Sequence, residues 1–147
     1  MRLSILALLA SLAVAAGPVG AMPSPSLVDG FGSALNSYRA QAGLHGLRAD
    51  PRLNAAAQAY AETMAATGHV SHTGRDGSTA GVRARRAGCD GGYMAENIAW
   101  GQRSADATFQ GWAASAGHRA NMLGRPYGVF GIGQSGGMWV MMFADNC

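Results

Sequence analysis

The stretch YGVFGIGQSGGMWVMMF, residues 127–143, holds two apolar runs, 127–132 and 138–143, on either side of the turn-rich GQSGG at 133–137. Valine, isoleucine and aromatic side chains suit strands, and a glycine-dense connection turns the chain back on itself, so a β-hairpin is expected here. The same stretch contains G-x-G-x-x-G at 131–136 and G-x-S-x-G at 133–137. A dinucleotide site needs a helix starting at its glycine loop, and a nucleophile elbow needs a strand-to-helix turn. The segment that follows is the strand at 138–143, so both patterns read as turn chemistry.

Upstream of the hairpin the periodicity is helical. Ser26 reads as an N-cap with Asp29 three residues on, and Leu27, Val28, Phe31, Leu35 and Tyr38 recur at three- and four-residue spacings until Gly43. A second helix opens on Asp50-Pro51, carries Leu53, Ala57, Tyr60, Ala61 and Met64 on one face, and stops at Gly68. A polar loop with His69, His72 and Asp76 leads to a short helix over 78–87, stopped by Gly88. The glycine-rich segment 89–102 contains a short strand at 96–100. Ser104 then caps a helix with Asp106 in its first turn and Phe109 and Trp112 on its apolar side, ending near Gly117. A turn or helix at 118–123 precedes the hairpin. Helices first and an antiparallel ribbon last make the fold class α+β.

The 147 residues include eleven Arg, no Lys, six Asp, two Glu, four His and two Cys, for a net charge of +3. That length suits one domain with one core. A charged fraction of 13% with 48% apolar residues excludes extended disorder. Met1-Arg2, the apolar or small run at 3–16 and the small residues before Ala21 have the three parts of a secretory signal, with the cut placed after Ala21. The run is too short for a membrane span, being broken by Gly17-Pro18. The remaining 126 residues, 22–147, form a single domain without a transmembrane segment, and loss of Arg2 lowers the charge from +3 to +2. In an exported chain an even cysteine count usually pairs, so Cys89 and Cys147 are expected to form a disulfide. Arg83, Arg85 and Arg86 read as a solvated helix face, because tracking phosphates recruits many more cations, and no nucleic-acid partner is expected.

No H-E-x-x-H, C-x-x-C or Walker loop is present. The informative set is His72, Glu96 and His118, each in a loop or at the end of an element. Two imidazoles and a carboxylate would suit a divalent metal such as zinc with an open position, or a hydrogen-bonded acid/base cluster. Spacing alone leaves both alternatives open. His45 and His69 read as ordinary loop histidines, and Glu62 as a solvated helix residue.

Several segments, taken in order, look like the CAP superfamily: LNSYR at 35–39, Leu53 to Met64, Ser71-His72, AENIA at 95–99, Trp112, GHRANML at 117–123, and Gly131-Ile132-Gly133 with Trp139 and Phe143. This group holds cysteine-rich secretory, antigen 5 and pathogenesis-related 1 proteins, and the chain most resembles the short bacterial SCP-like branch across residues 27–143. The resemblance implies an α-β-α sandwich with an antiparallel sheet between helical layers, and a cleft of two His and two acids. His72 and His118 match the histidines and Glu96 one acid, while Ser115 stands where the second acid falls in many members. It further implies that Asn97 and Arg119 fix loops and that Trp112 is core. The expected protein is a secreted monomer, extracellular or in the periplasm or cell envelope. It binds a divalent metal, zinc foremost, through His72 and His118, with a lipid or cell-envelope ligand elsewhere. The alternatives are a hydrolase using the metal or Glu96 as general base, and a structural interaction module.

Overall fold

A computed structural model describes residues 20–147; of the signal segment expected over 1–21, all but the last two residues lie outside them. Helix α1 spans Pro25–Gln41, with Pro25 at its first position. Ser24, not Ser26, is its N-cap, and its hydroxyl accepts from Leu27 N at 3.3 Å. Proline suits the first helical position, so the cap falls on the residue before it. Helix α2, Pro51–Thr67, begins and ends where the sequence places it, with Asp50 accepting from Arg52 N and Gly68 left-handed at φ 66°.

Helix α3 covers only Ala80–Arg86, because Thr79 caps it and leaves Ser78 in the preceding loop. Helix α4 is Ala105–Ala114, capped by Ser104. It ends before Gly117, since Ser115 is extended (φ −90°, ψ 124°) and opens a further helix, α5, Ala116–Met122.

Four strands form one sheet: β1 (Arg48–Ala49), β2 (Met94–Trp100), β3 (Val129–Ser135) and β4 (Met138–Ala144), in the order β1-β3-β4-β2. The β2–β4 and β3–β4 pairings are antiparallel, and the two-residue β1 adds a parallel pairing to β3 that the sequence does not announce. The hairpin turn is two residues, not five. Ser135 pairs with Met138, and Gly136 and Gly137 both take positive φ, the conformation that follows the twist of a tight hairpin.

Successive side chains of a strand point to opposite faces, and β4 shows the result residue by residue. Val140, Met142 and Ala144 pack toward α2 and α3 with Leu53, Tyr60, Met64 and Ala84. Trp139, Met141 and Phe143 pack toward α1, α4 and α5 with Phe31, Leu35, Trp112 and Met122. The sheet therefore lies between two helical layers, an α-β-α sandwich.

On the α2 side β3 offers Gly131 and Gly133 instead of side chains. A Cβ at Gly131 would stand 2.2 Å from Leu53 C, and one at Gly133 2.3 Å from Gln58 N, so the helix backbone rests directly on the strand. That approach lets α2 complete the outer side of β3 where β1 stops. Arg48 N and Asp50 N donate to Gly128 O and Phe130 O. Next, Ile132 N donates to Asn54 Oδ1 and Gln134 N to Gln58 Oε1, each at 3.0 Å, while Gln58 Nε2 donates to Gln134 O. On the opposite edge Trp112 Nε1 donates to Ile98 O and Asn121 Nδ2 to Glu96 O. The disulfide Cys89–Cys147 forms as expected and ties the segment after α3 to the residues after β4.

Candidate functional site

Glu96 lies on the edge strand β2 with both carboxylate oxygens engaged and only 7% of its surface exposed. Its Oε1 is 2.9 Å from His72 Nδ1, and its Oε2 accepts from Arg83 Nη2 at 2.6 Å. With a carboxylate oxygen as the acceptor, His72 donates from Nδ1 in the first contact. The other ring nitrogen, Nε2, makes no contact with Glu96, and the His72 side chain is 64% exposed.

Arg83 makes this arrangement rigid. Its Nη1 donates to Ser78 O at 2.7 Å, its Nη2 also reaches His72 O at 3.3 Å, and its Cζ lies 3.5 Å above the Tyr60 ring. The Tyr60 hydroxyl in turn donates to Ser71 O at 2.6 Å. One guanidinium thus joins α2, α3, β2 and the backbone of the His72 loop. At the far end of that loop the Ser78 hydroxyl and Arg86 hold the Asp76 carboxyl far below the usual carboxylate range. Arg83 is only 8% exposed, which corrects the expectation of a solvated Arg83-Arg85-Arg86 face; Arg85 and Arg86 alone are on the surface. The periodicity of α3 held the signal. Ala80, Ala84 and Ala87 make its apolar stripe, and Arg83 lies three residues from Ala80 and four from Ala87 on that same side.

His118 comes from the other layer, on the first turns of α5. Asn97, fully buried on β2, donates from Nδ2 to His118 O at 3.1 Å and accepts from Asn121 Nδ2 at 2.9 Å, which fastens α5 against the strand. Arg119 Nη1 donates to Ala113 O and braces the α4–α5 corner. The His118 ring stands 6.4 Å, centroid to centroid, from that of the buried Trp112. Burial lowers the His118 pKa below the ordinary histidine value, and the charge of a protonated His72 lowers it further.

Ser115 sits at the α4–α5 corner, half-buried, and its hydroxyl makes no cap bond to α5. It lines a small cavity with His118, whereas His72 and Glu96 lie outside that cavity. Among the described residues, no three His, Cys, Asp or Glu side chains form a group able to hold one metal ion. Both oxygens of Glu96 are taken up, by His72 and by Arg83. His45 is exposed with Nε2 2.8 Å from Tyr127 O, and the half-buried His69 has Nε2 3.1 Å from Thr73 O. Glu62 accepts from Gln58 Nε2 on α2.

Residues 33–141 match the model of the cysteine-rich secretory protein family, CAP. The chain belongs to the CAP family. A relative within reach by sequence is the uncharacterized protein YkwD of Bacillus subtilis, 28% identical over 110 residues, which cover 74% of this chain and 43% of that protein. The chain thus spans less than half the length of this curated relative.

Among solved structures, an extracellular protein with an SCP domain from Bacillus anthracis superposes with a TM-score of 0.78 at 24% identity, over 88% of this chain and 45% of that one. An outer surface protein of Borrelia burgdorferi gives 0.76 at 18% identity, over 87% and 99%. A cysteine-rich secretory protein of Staphylococcus aureus gives 0.71 at 16% identity, over 87% and 40%. At these identities the three share the CAP fold with this chain. No helix among the described residues is long and apolar enough to cross a membrane.

Proposed function

We propose that this CAP-domain protein works outside the cytoplasm as a binding protein whose cleft takes a divalent metal, zinc foremost, through His72 Nε2 and His118. The observation that carries the reading is the Arg83–Glu96–His72 chain. A carboxylate on the second nitrogen of a ligating imidazole fixes its tautomer and raises its basicity. His118, whose pKa is lowered by burial, is the second imidazole donor. Two imidazoles suit a borderline cation, and with Ser115 in place of a second acid the remaining positions fall to water or an external ligand. A cation held there would act as a Lewis acid on whatever fills those positions. The extracellular placement is supported by the likeness to an extracellular protein of Bacillus anthracis and an outer surface protein of Borrelia burgdorferi, and by the disulfide.

Glu96 as a general base is disfavoured, because each of its oxygens is already engaged, one by His72 and one by Arg83. A lipid or cell-envelope ligand is supported separately by a cavity of about 620 Å³ between α2 and α3, lined by Met22, Ala55, Ala59 and Thr63 with arginines at one end. Calorimetric titration of zinc into the wild type and into His72→Ala/His118→Ala tests the metal reading. The wild type should give a binding heat that the double variant lacks, and equal heats from two folded proteins would refute it.

A further inference from the structure

The cavity beside His118 has a character of its own. It encloses about 250 Å³ between β2 and α4, small for a drug-sized pocket and suited to a single ring. Its lining includes Trp100, Gln102, Thr108, Trp112, Ser115 and His118, and no carboxylate or arginine. Two of these groups have hydrogen-bonding capacity left over. Gln102 Oε1 is buried without a partner, and the Ser115 hydroxyl makes no cap bond. An unpaired amide oxygen out of water is costly unless a donor reaches it. At the rim Trp100 is 61% exposed, although the other two tryptophans are core. An indole open to water beside unpaired neutral polar groups is the pattern that grips a molecule with one apolar face and a hydroxylated edge.

We propose that this cavity is a binding site for one neutral pyranose ring, stacked against Trp100, hydrogen-bonding with the Gln102 side-chain amide as that side chain turns into the cavity, and meeting the Ser115 hydroxyl. A charged ligand finds no counter-ion in the lining. A flat aromatic ligand would leave Gln102 and Ser115 unpaired. The ring is either a free sugar or the end of a glycan chain, and the chemistry of recognition is the same for both. The site shares His118 and Ser115 with the proposed metal cleft, but Trp100 and Gln102, which carry the recognition, are not metal donors.

The test is NMR titration of the full mature chain, in the presence of a chelator, with N-acetylglucosamine, glucose, the β-1,4-linked tetramer of N-acetylglucosamine, and benzyl alcohol as an aromatic control. The indole N–H of Trp100 and the side-chain amide of Gln102 should shift on addition of a sugar, with saturation at millimolar concentration, and stay put with benzyl alcohol. Tighter binding of the tetramer than of the monomer marks a glycan chain as the source, and equal affinity marks the single ring. Trp100→Ala, at an exposed side chain the fold does not need, should weaken binding about tenfold. Gln102→Met, which keeps the backbone carbonyl bonded to Trp139 Nε1, should weaken it comparably. No shift of either reporter at tens of millimolar sugar, or unchanged affinity in both variants, overturns the proposal. Because metal is absent throughout, failure here is separate from failure of the zinc titration.

Discussion

Replacing Gly133 by alanine tests whether α2 rests on β3 as described. The added Cβ would lie 2.3 Å from Gln58 N and 2.4 Å from Ala57 C. Non-bonded carbon contacts settle at about 3.5 Å or more, so helix and strand must separate by about 1.2 Å. Both neighbours are backbone, and no side chain can swing away to absorb the strain. Overpacking of this kind costs about 1–3 kcal/mol. The same separation stretches the Gln58 bonds to Gln134 beyond hydrogen-bonding distance, adding about 1 kcal/mol for each bond lost. A total of about 3–5 kcal/mol follows, and at about 3–5 °C per kcal/mol for a domain of this size the melting temperature should fall by about 10–20 °C. Gly30→Ala is the matched control. It lies exposed in α1 with nothing within 4 Å of a built Cβ, and should stabilise by about 0.5–1 kcal/mol. Thermal and urea unfolding of the three proteins, followed by circular dichroism, gives the comparison. A Gly133→Ala melting point within a degree or two of wild type would refute the direct seating of α2 on the strand.

Arg83→Met strands the buried Glu96 carboxylate and should cost about 3–5 kcal/mol in urea unfolding, while Arg83→Met/Glu96→Gln should recover part of that loss because no unpaired charge remains. Replacing both cysteines by serine removes a 58-residue loop constraint and should lower stability by about 4 kcal/mol with the far-ultraviolet spectrum unchanged. The depressed His118 pKa means that the unfolded chain takes up this proton more readily than the folded one. Stability should therefore rise with pH up to the ordinary histidine value of about 6.5 and be lost on acidification through that window. Urea midpoints measured from pH 5 to pH 7 should show a flatter profile for His118→Gln; an unchanged slope would remove His118 as the cause.

What could be read in the sequence was what local chemistry decides. Asp50-Pro51 and Gly68 bound α2 because capping, the first-position proline and the left-handed stop each involve only neighbouring residues. The apolar run that becomes β4 was equally visible, since it depends on one strand. The two-residue β1 was not, because Arg48 and Ala49 become a strand only by pairing with Val129 and Phe130, about eighty positions on. The turn was read too long because Gln134 and Ser135 look like turn residues, yet their pairing with Trp139 and Met138 keeps them in β3. At the candidate site His72, Glu96, Ser115 and His118 could be picked out by type, but the Arg83 that organises two of them was hidden in an arginine-rich run. Charge suggested solvent there, and only the helical register shared with Ala80 and Ala87 pointed inward.

The side chains that finish the edges of the sheet have a consequence for how copies of this protein meet. A strand edge with free N–H and C=O groups recruits strands from other molecules, the usual route from a soluble domain to aggregates. Here Asn54 and Gln58 occupy that hydrogen-bonding capacity along β3 beyond β1, and Trp112 and Asn121 hold the carbonyls of Ile98 and Glu96 on β2. The sandwich thus resists edge-to-edge polymerisation through a few amide and indole groups, and a variant such as Asn54→Leu would reopen a template for it.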